Sequence, residues 1–393
     1  MYNLKTARLM TGNDAAAYAV KQSDVDFISA YPITPQTIIV ERLSEYVASG
    51  ELHAEFVATE SEHSALSACV GASLAGARAF TSTSSQGLAL MHEILYVASG
   101  LRCPIVMAIV NRALSAPLNI HGDHSDVMGS RDAGWIQIFA ENPQEVYHYL
   151  IQSFRLAEHP DVLLPVGVNL DGFTVSHSSE PVEVLEDSVV KEYLPRNERP
   201  RLDYYSPATF GAFALPTHYF EFKVEQDKTL RKAGEVLDEV AAHYPSPEGR
   251  LRKIDKFNED GRIAVIIMGG TTGTLRYAIK SLRFRDFSLI SLKLFSPFPS
   301  RELVEAVSDA DAVVVMDRSM SPGAPLHPLA SNVATSLYEA GVSVNLISVV
   351  YGLGGREPTI KMVLEMFEKV REIARGGGKR LSRLFLGYQG DGL

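Results

Sequence analysis

Glu62 stands at the entrance to a run of small residues, Ser61-Glu62-His63-Ser64-Ala65-Leu66-Ser67-Ala68-Cys69-Val70-Gly71-Ala72. A carboxylic acid packed there can share a proton, which suits it to acid–base chemistry. Two glycines, Gly71 and Gly76, each cost a helix about 1 kcal/mol against alanine. Their presence predicts close approach by a neighbouring backbone. The competing reading is a capping box, Thr59-x-x-Glu62, with the carboxylate folded back on the helix start. Thr34 sits in Tyr31-Pro32-Ile33-Thr34-Pro35, where two prolines fix the backbone. Its hydroxyl can cap a helix that starts at Pro35 or serve a ligand. Arg112 directly follows the apolar run Ile105-Val106-Met107-Ala108-Ile109-Val110. A guanidinium there offers forked donors that match a planar carboxylate. Ser82-Thr83-Ser84-Ser85-Gln86-Gly87 reads as a polar turn opening a helix. Its main-chain N–H groups suit either an anion or plain capping.

The elements that carry these residues alternate. Short apolar strands are predicted over 25–30, 55–58, 78–81, 105–110 and 163–169. Helices are predicted over 12–23, 36–49, 62–76, 87–100 and 143–158. Such alternation argues for an α/β fold with a mostly parallel sheet covered on both faces. Ligands of these sheets bind beyond the carboxyl ends of the strands. Thr34, Glu62, Ser85, Gln86 and Arg112 all follow strand ends, so they should converge on one edge.

From about 174 to 224 the periodicity collapses, and prolines, acids and aromatics mix. The stretch is too long for an ordinary loop and too aromatic for disorder. It is expected to be an extended arm or partner-binding segment, followed by a helix over 227–243. A second α/β unit follows, with strands over 263–268, 287–292, 312–316 and 344–350. Its helices are predicted over 273–283, 301–308, 328–340 and 359–374. The glycine-rich stretch from 376 reads as a lead to a terminal docking peptide.

Taken in order, Tyr-Pro-Ile-Thr-Pro, Glu-Ser-Glu-His, Thr-Ser-Ser-Gln-Gly-Leu, Asn111-Arg112-Ala113 and Tyr351-Gly352-Leu353-Gly354-Gly355-Arg356 form a pattern. It resembles the alpha subunits of the pyruvate:ferredoxin oxidoreductases, within the thiamine-diphosphate-dependent 2-oxoacid:ferredoxin oxidoreductase family. The likeness spans essentially the whole chain. It implies a pyrimidine-binding (PYR-type) α/β domain at 1–173 and an extended arm with a linking helix at 174–258. A smaller transketolase C-terminal-like α/β domain at 259–375 and a tail at 376–393 complete the layout.

The resemblance also implies roles. Glu62 matches the glutamate that hydrogen-bonds the cofactor's pyrimidine. Thr34 and Arg112 match the pair that holds the substrate carboxylate. Tyr31, Pro32, Ile33, Ser85 and Gln86 would line the cofactor. The implied reaction is coenzyme A-dependent oxidative decarboxylation of pyruvate, with electrons passed to ferredoxin. Implied partners are beta, gamma and delta subunits, which would hold magnesium and the [4Fe-4S] clusters. A related 2-oxoacid such as 2-oxoisovalerate, a noncatalytic αβ scaffold and a nucleotide-dependent enzyme complete in one chain are the competing readings.

Composition narrows these. A net charge of −10 argues against nucleic acid and anionic membrane as partners. No apolar run approaches the ~20 residues a membrane span needs. The start shows no secretory pattern, so a cytoplasmic location is expected. Cys69 and Cys103 are the only cysteines, and a cluster needs about four, so any clusters belong to other chains. His121-Gly122-Asp123-His124-Ser125-Asp126 matches no helix-borne zinc spacing. No metal is expected there; the family resemblance implies substrate-side contact instead. Gly269-Gly270-Thr271-Thr272-Gly273 fails the G-x-G-x-x-G pattern and reads as a strand-to-helix turn. Gly390-Asp391-Gly392 starts like the diphosphate-and-magnesium motif of thiamine enzymes, but only Leu393 follows. The chain is therefore expected to hold half a cofactor site and to be inactive alone.

Overall fold

The computed structural model describes residues 5–375 and 381–390. The glycine-rich lead at 376–380 and Asp391-Gly392-Leu393 lie outside the described residues.

The first half contains strands β1 (Lys5–Met10), β2 (Phe27–Ala30), β3 (Glu55–Ala58), β4 (Ala79–Thr83), β5 (Val106–Asn111), β6 (Ile136–Ala140) and β7 (Val166–Asp171). All except β1 run parallel in one sheet, ordered β6-β7-β5-β4-β2-β3. β5 is buried at every position, as a near-continuous apolar run in a doubly covered sheet should be. β6 was not among the predicted strands. Its signal was present: five residues bracketed by Gly134 before and by Asn142-Pro143 after.

Among the described residues, seven helices accompany these strands: α1 (Gly12–Gln22), α2 (Thr37–Ala48), α3 (Glu62–Leu74), α4 (Ser85–Leu90), α5 (His92–Gly100), α6 (Ser125–Met128) and α7 (Pro143–Ala157). A capping box between Thr11 and Asp14 starts α1. Asn142 caps α7, with Pro143 in its first turn. The single helix expected over 87–100 is two, α4 and α5, meeting at Met91.

The irregular stretch is more ordered than its sequence suggested. It contains β8 (Glu180–Leu185), which pairs antiparallel with β1, and α8 (Asp187–Tyr193). Helix α9 (Pro216–Ala242) begins well before its predicted start. Between α8 and α9 the chain is an arm lying along the first domain. The Leu202 N–H donates to the Leu74 carbonyl at 2.7 Å, and Arg199 donates to the Ala77 carbonyl. Tyr204, Tyr205 and Phe213 on this arm are almost wholly exposed.

The second sheet comprises β9 (Ile254–Phe257), β10 (Ile263–Ile267), β11 (Phe287–Leu292), β13 (Ala312–Asp317), β14 (Asn345–Val350) and β15 (Leu381–Phe385), ordered β15-β14-β13-β10-β11-β9. Only β9 is antiparallel to its neighbour. Helices α10 (Thr271–Ser281), α11 (Ser300–Ala306), α12 (Pro328–Glu339) and α13 (Ile360–Arg375) pack on it. One short strand leaves this unit: β12 (Leu294–Ser296) pairs antiparallel with β6, as the seventh strand of the first sheet.

The junction is ionic as well as hydrogen-bonded. Lys293, just before β12, is fully buried, and its Nζ lies 2.6 Å from Glu141 and 2.7 Å from Glu145. Ser291 and Arg276 also reach Glu141. Removing one partner of such a group would strand a buried charge, at about 3–5 kcal/mol. Among the described residues, no helix is long and apolar enough to cross a membrane.

Candidate active site

The carboxyl ends of β2, β4 and β5 point to one edge, and the loops that leave them are cross-linked. After β2, the Gln36 side chain is fully buried and donates to the Ser82 carbonyl at 2.9 Å and the Ser82 hydroxyl at 2.6 Å. Its Oε1 accepts the Ile33 N–H at 3.2 Å. These bonds fix the Tyr31–Pro35 loop against β4. Tyr31, Pro32 and Thr34 are exposed on that loop and Ile33 is half-buried. The Thr34 hydroxyl is not a helix cap, because α2 starts later, after Gln36.

Arg112 lies at the end of β5 and is buried to 7% exposure. Its Nη1 donates to the Thr34 carbonyl at 2.8 Å, and its Nε to the Asn119 carbonyl at 3.0 Å. Its Nη2 makes no hydrogen bond among the described residues, which leaves one face of the fork for a ligand. Burial pulls the guanidinium below its ordinary value, and the Asp126 carboxylate pulls it back.

Asp126 ties this loop to the next. It accepts the Arg112 N–H at 2.9 Å, the Ser85 N–H at 3.0 Å and the Asn111 side-chain amide at 3.1 Å. Burial pushes its carboxyl up to about 6 against those donors. Of the two readings left open for the Ser82–Gly87 turn, a ligand site or plain capping, the ligand reading is closed at the Ser85 N–H. Asp126 already fills that place. Gln86 instead donates to the Ser115 hydroxyl at 2.7 Å, and the Ser85 hydroxyl lies 2.6 Å from the Ala113 carbonyl. Predicted residues from β2, β4 and β5 thus form one linked constellation.

Glu62 approaches this group from the start of α3. Ser61 is the cap of that helix: its hydroxyl accepts the Ser64 N–H at 3.2 Å. The capping-box reading of Glu62 is thereby removed, since Glu62 is the first helical residue. Its side chain is 7% exposed and makes no hydrogen bond among the described residues. A Cβ at Gly87 would lie 2.5 Å from the Thr83 hydroxyl and 2.6 Å from the Glu62 carboxylate. Only glycine lets the start of α4 pack this closely on Glu62 and Thr83. The Thr83 and Ser84 hydroxyls are buried without partners. The Glu62 carboxylate, without a hydrogen-bond partner among the described residues, fits a polar heterocycle that can share a proton with it. The close backbone approach expected at Gly71 and Gly76 is not found: a Cβ at Gly71 would meet nothing within 4 Å, and Gly76, past the helix at φ +100°, faces the Arg201 side chain and no neighbouring backbone.

The His121–Asp126 segment is tied into the fold by its own side chains. His124 Nε2 lies 2.7 Å from Asp171, and the Asp123 carboxylate accepts the Gly354 N–H at 3.0 Å. Among the described residues, no group of three or more His, Cys, Asp or Glu side chains could hold a metal ion. Burial opposes ionisation of Asp171, but Arg318 and His124 overcome it and hold the carboxyl well below its usual range. Asp171 also accepts the Gly270 N–H at 2.5 Å. The glycine turn before α10 therefore takes a carboxylate of its own chain. Cys69 and Cys103 are buried thiols, pushed up to about 12 and about 11 by burial.

Sequence reasoning missed Gln36, Asn119 and the bridging role of Asp126. Gln36 sits one residue after a flagged motif, and Asn119 lies in a loop without periodicity.

Residues 18–242 match the family model described as pyruvate flavodoxin/ferredoxin oxidoreductase, thiamine diphosphate-binding. Residues 262–363 match the model for pyruvate:ferredoxin oxidoreductase core domain II. The pyruvate synthase subunit PorA of Thermotoga maritima is 46% identical over 365 residues, covering 91% of this chain and 93% of that protein. The PorA of Methanocaldococcus jannaschii is 42% identical, covering 95% and 97%. The ketoisovalerate oxidoreductase subunit VorA of Pyrococcus abyssi is 38% identical, covering 94% and 95%. In fold, the chain is similar to a 2-oxoglutarate:ferredoxin oxidoreductase from Magnetococcus marinus, solved with 2-oxoglutarate, coenzyme A and succinyl-CoA bound. The TM-score is 0.73 at 20% identity, over 94% of this chain and 66% of that one. The chain spans about two thirds of that neighbour's length, and at this identity the likeness concerns the fold alone. With models matched across both halves and relatives above 40% identity over nearly the full length, the chain belongs to the pyruvate flavodoxin/ferredoxin oxidoreductase family.

Proposed function

We propose that this chain is the alpha-type subunit of a pyruvate:ferredoxin oxidoreductase. It acts in coenzyme A-dependent decarboxylation of pyruvate to acetyl-CoA and carbon dioxide, with electrons passed to ferredoxin. The observation that carries this reading is Glu62: a nearly buried carboxylate without a hydrogen-bond partner among the described residues, packed so closely on Gly87 that no larger residue fits there.

Thiamine diphosphate, when bound, supplies the electron sink for cleavage of the carboxylate–carbonyl bond. Glu62 would hold its pyrimidine through a shared proton. Tyr31, Pro32, Ile33, Ser85 and Gln86 line the approach. Arg112 and Thr34 orient the substrate carboxylate. The chain's domains are 1–173, which carries this half-site, the arm and linking helix at 174–258, and the second α/β unit at 259–375. Beta, gamma and delta chains supply the diphosphate half-site with magnesium and the [4Fe-4S] clusters, in a cytoplasmic complex.

The test is a substrate panel on the complex purified with its partner chains, reading viologen reduction with and without coenzyme A. Pyruvate should give the highest kcat/KM. The panel includes 2-oxoisovalerate, because a ketoisovalerate oxidoreductase subunit is among the relatives. A preference for the branched substrate would reassign the enzyme within its family. No coenzyme A-dependent reduction with any 2-oxoacid would leave the scaffold reading.

A further inference from the structure

The second domain's loop Gly352-Leu353-Gly354-Gly355-Arg356 reaches the first domain beside Arg112. Its glycines are needed in place. Gly352, Gly354 and Gly355 have φ of +66°, +58° and +79°, a region that favours glycine. A Cβ at Gly354 would run into the Asn119 amide, and one at Gly355 into His121. The contact is hydrogen-bonded in both directions. Asn119 Nδ2 donates to the Gly354 carbonyl at 3.0 Å, and the Gly354 N–H donates to Asp123 at 3.0 Å. Asn119 Oδ1 accepts the His121 N–H at 2.7 Å, and its main-chain carbonyl accepts Arg112 Nε at 3.0 Å. Arg112 Nη1 then reaches Thr34.

We propose that Asn119 is a positioning residue for substrate orientation, transmitting the placement of the Gly352–Arg356 loop of the second domain to the Arg112 guanidinium. The inference rests on the reading that Arg112 binds the carboxylate of a 2-oxoacid. Arg112 sits in a loop whose far side, at Leu118 and Ile120, is exposed. Two main-chain carbonyls aim its fork, one from Thr34 and one from Asn119. The Thr34 carbonyl is fixed within the first sheet through Gln36. The Asn119 carbonyl has its anchor across the domain junction. The second domain thereby sets the angle at which the arginine meets a carboxylate.

The experiment compares Asn119→Ala, Gly354→Ala, their double variant and Arg112→Lys in the complex purified with its partner chains. KM and kcat are measured for pyruvate, and KM for coenzyme A. Asn119→Ala keeps the main-chain carbonyl and removes its anchor. It should raise the pyruvate KM about five- to tenfold, the scale of one lost hydrogen bond, with kcat and the coenzyme A KM within about twofold. Gly354→Ala should do the same from the other side of the contact. The double variant should be no worse than the more affected single variant, because both break one link. A purely structural role would lower the yield of assembled complex or kcat and leave the pyruvate KM unchanged. An unchanged pyruvate KM in Asn119→Ala, alongside a raised one in Arg112→Lys, overturns the inference. Unchanged pyruvate kinetics in Arg112→Lys overturns the substrate reading itself, and the inference with it.

Discussion

Arg112 and Thr34, 78 residues apart in sequence, meet through the main chain: the guanidinium Nη1 donates to the Thr34 carbonyl across 2.8 Å. The arginine is therefore held in place by the very loop that presents the Thr34 hydroxyl. Arg112→Lys replaces a planar fork by a point charge and cannot keep both carbonyl contacts while serving a ligand. Its kcat/KM for pyruvate should fall by about 1–3 kcal/mol, with fold and complex assembly retained. Thr34→Val should lose less, since it removes a neutral donor and leaves the carbonyl. Steady-state kinetics on both singles and the double checks this. Full additivity would separate the two residues and argue against a shared carboxylate.

Glu62 has no hydrogen bond to lose among the described residues, and Ser61 provides the cap of its helix. Glu62→Gln should therefore leave the thermal midpoint within about 2 °C, as for a substitution that touches no named stabilising contact. Turnover should collapse, because the amide cannot exchange a proton with the cofactor's ring. Calorimetry and viologen reduction on the same sample separate the two effects. Near-normal turnover would end the catalytic assignment.

Gly87→Ala tests the close packing of α4 against Glu62. The new Cβ would lie 2.6 Å from the carboxylate and 2.5 Å from the Thr83 hydroxyl, so one of them must move. Thiamine diphosphate affinity of the complex should drop with activity, and excess cofactor should restore part of the rate. Unaltered cofactor affinity would place the ring elsewhere.

Asp317 ends β13 and accepts the Leu329 and Ala330 N–H groups at the start of α12, at 2.7 and 3.0 Å. Burial pushes its carboxyl from the usual 3.8 up to about 7, against those two donors. A carboxyl whose folded value is raised binds its proton more tightly when folded. Its contribution to stability is whole below about pH 4 and is lost as the pH rises through about 7. Asp317→Asn removes that titration, so urea unfolding of the variant should lose less stability than the parent between pH 4 and 8. Parallel curves for the two proteins would contradict this.

Much of the site was legible because its chemistry sits at strand ends. Arg112 follows a strand so apolar that a merely superficial arginine was a poor explanation, and the structure buries it. Glu62 was legible as a buried carboxylate, yet its cap was misread. Ser61 and Thr59 are both good capping residues, and only the helix start decides between them. Asn119 was opaque because it lies in a loop, whose residues follow no period, and Asp126 because its helix, α6, is only four residues long. The first turns of α9 were missed for a physical reason. Tyr219, Phe220 and Phe222 are exposed, so that part of the helix has no buried stripe for a periodicity to reveal. β12 is three residues long, too short to announce itself, and it pairs with a strand remote in sequence.

That pairing has a consequence for how the chain is made. On the ribosome β6 emerges long before β12, and Lys293 follows Glu141 by 152 residues. Until then the first sheet carries an unpaired edge beside two carboxylates that lack their ammonium partner. Open edges of this kind template association with other chains. A fragment ending after α9 would keep every residue of the candidate site and still present that edge. It should aggregate on expression, whereas the same fragment extended through β12 and the sheet around it should stay in solution.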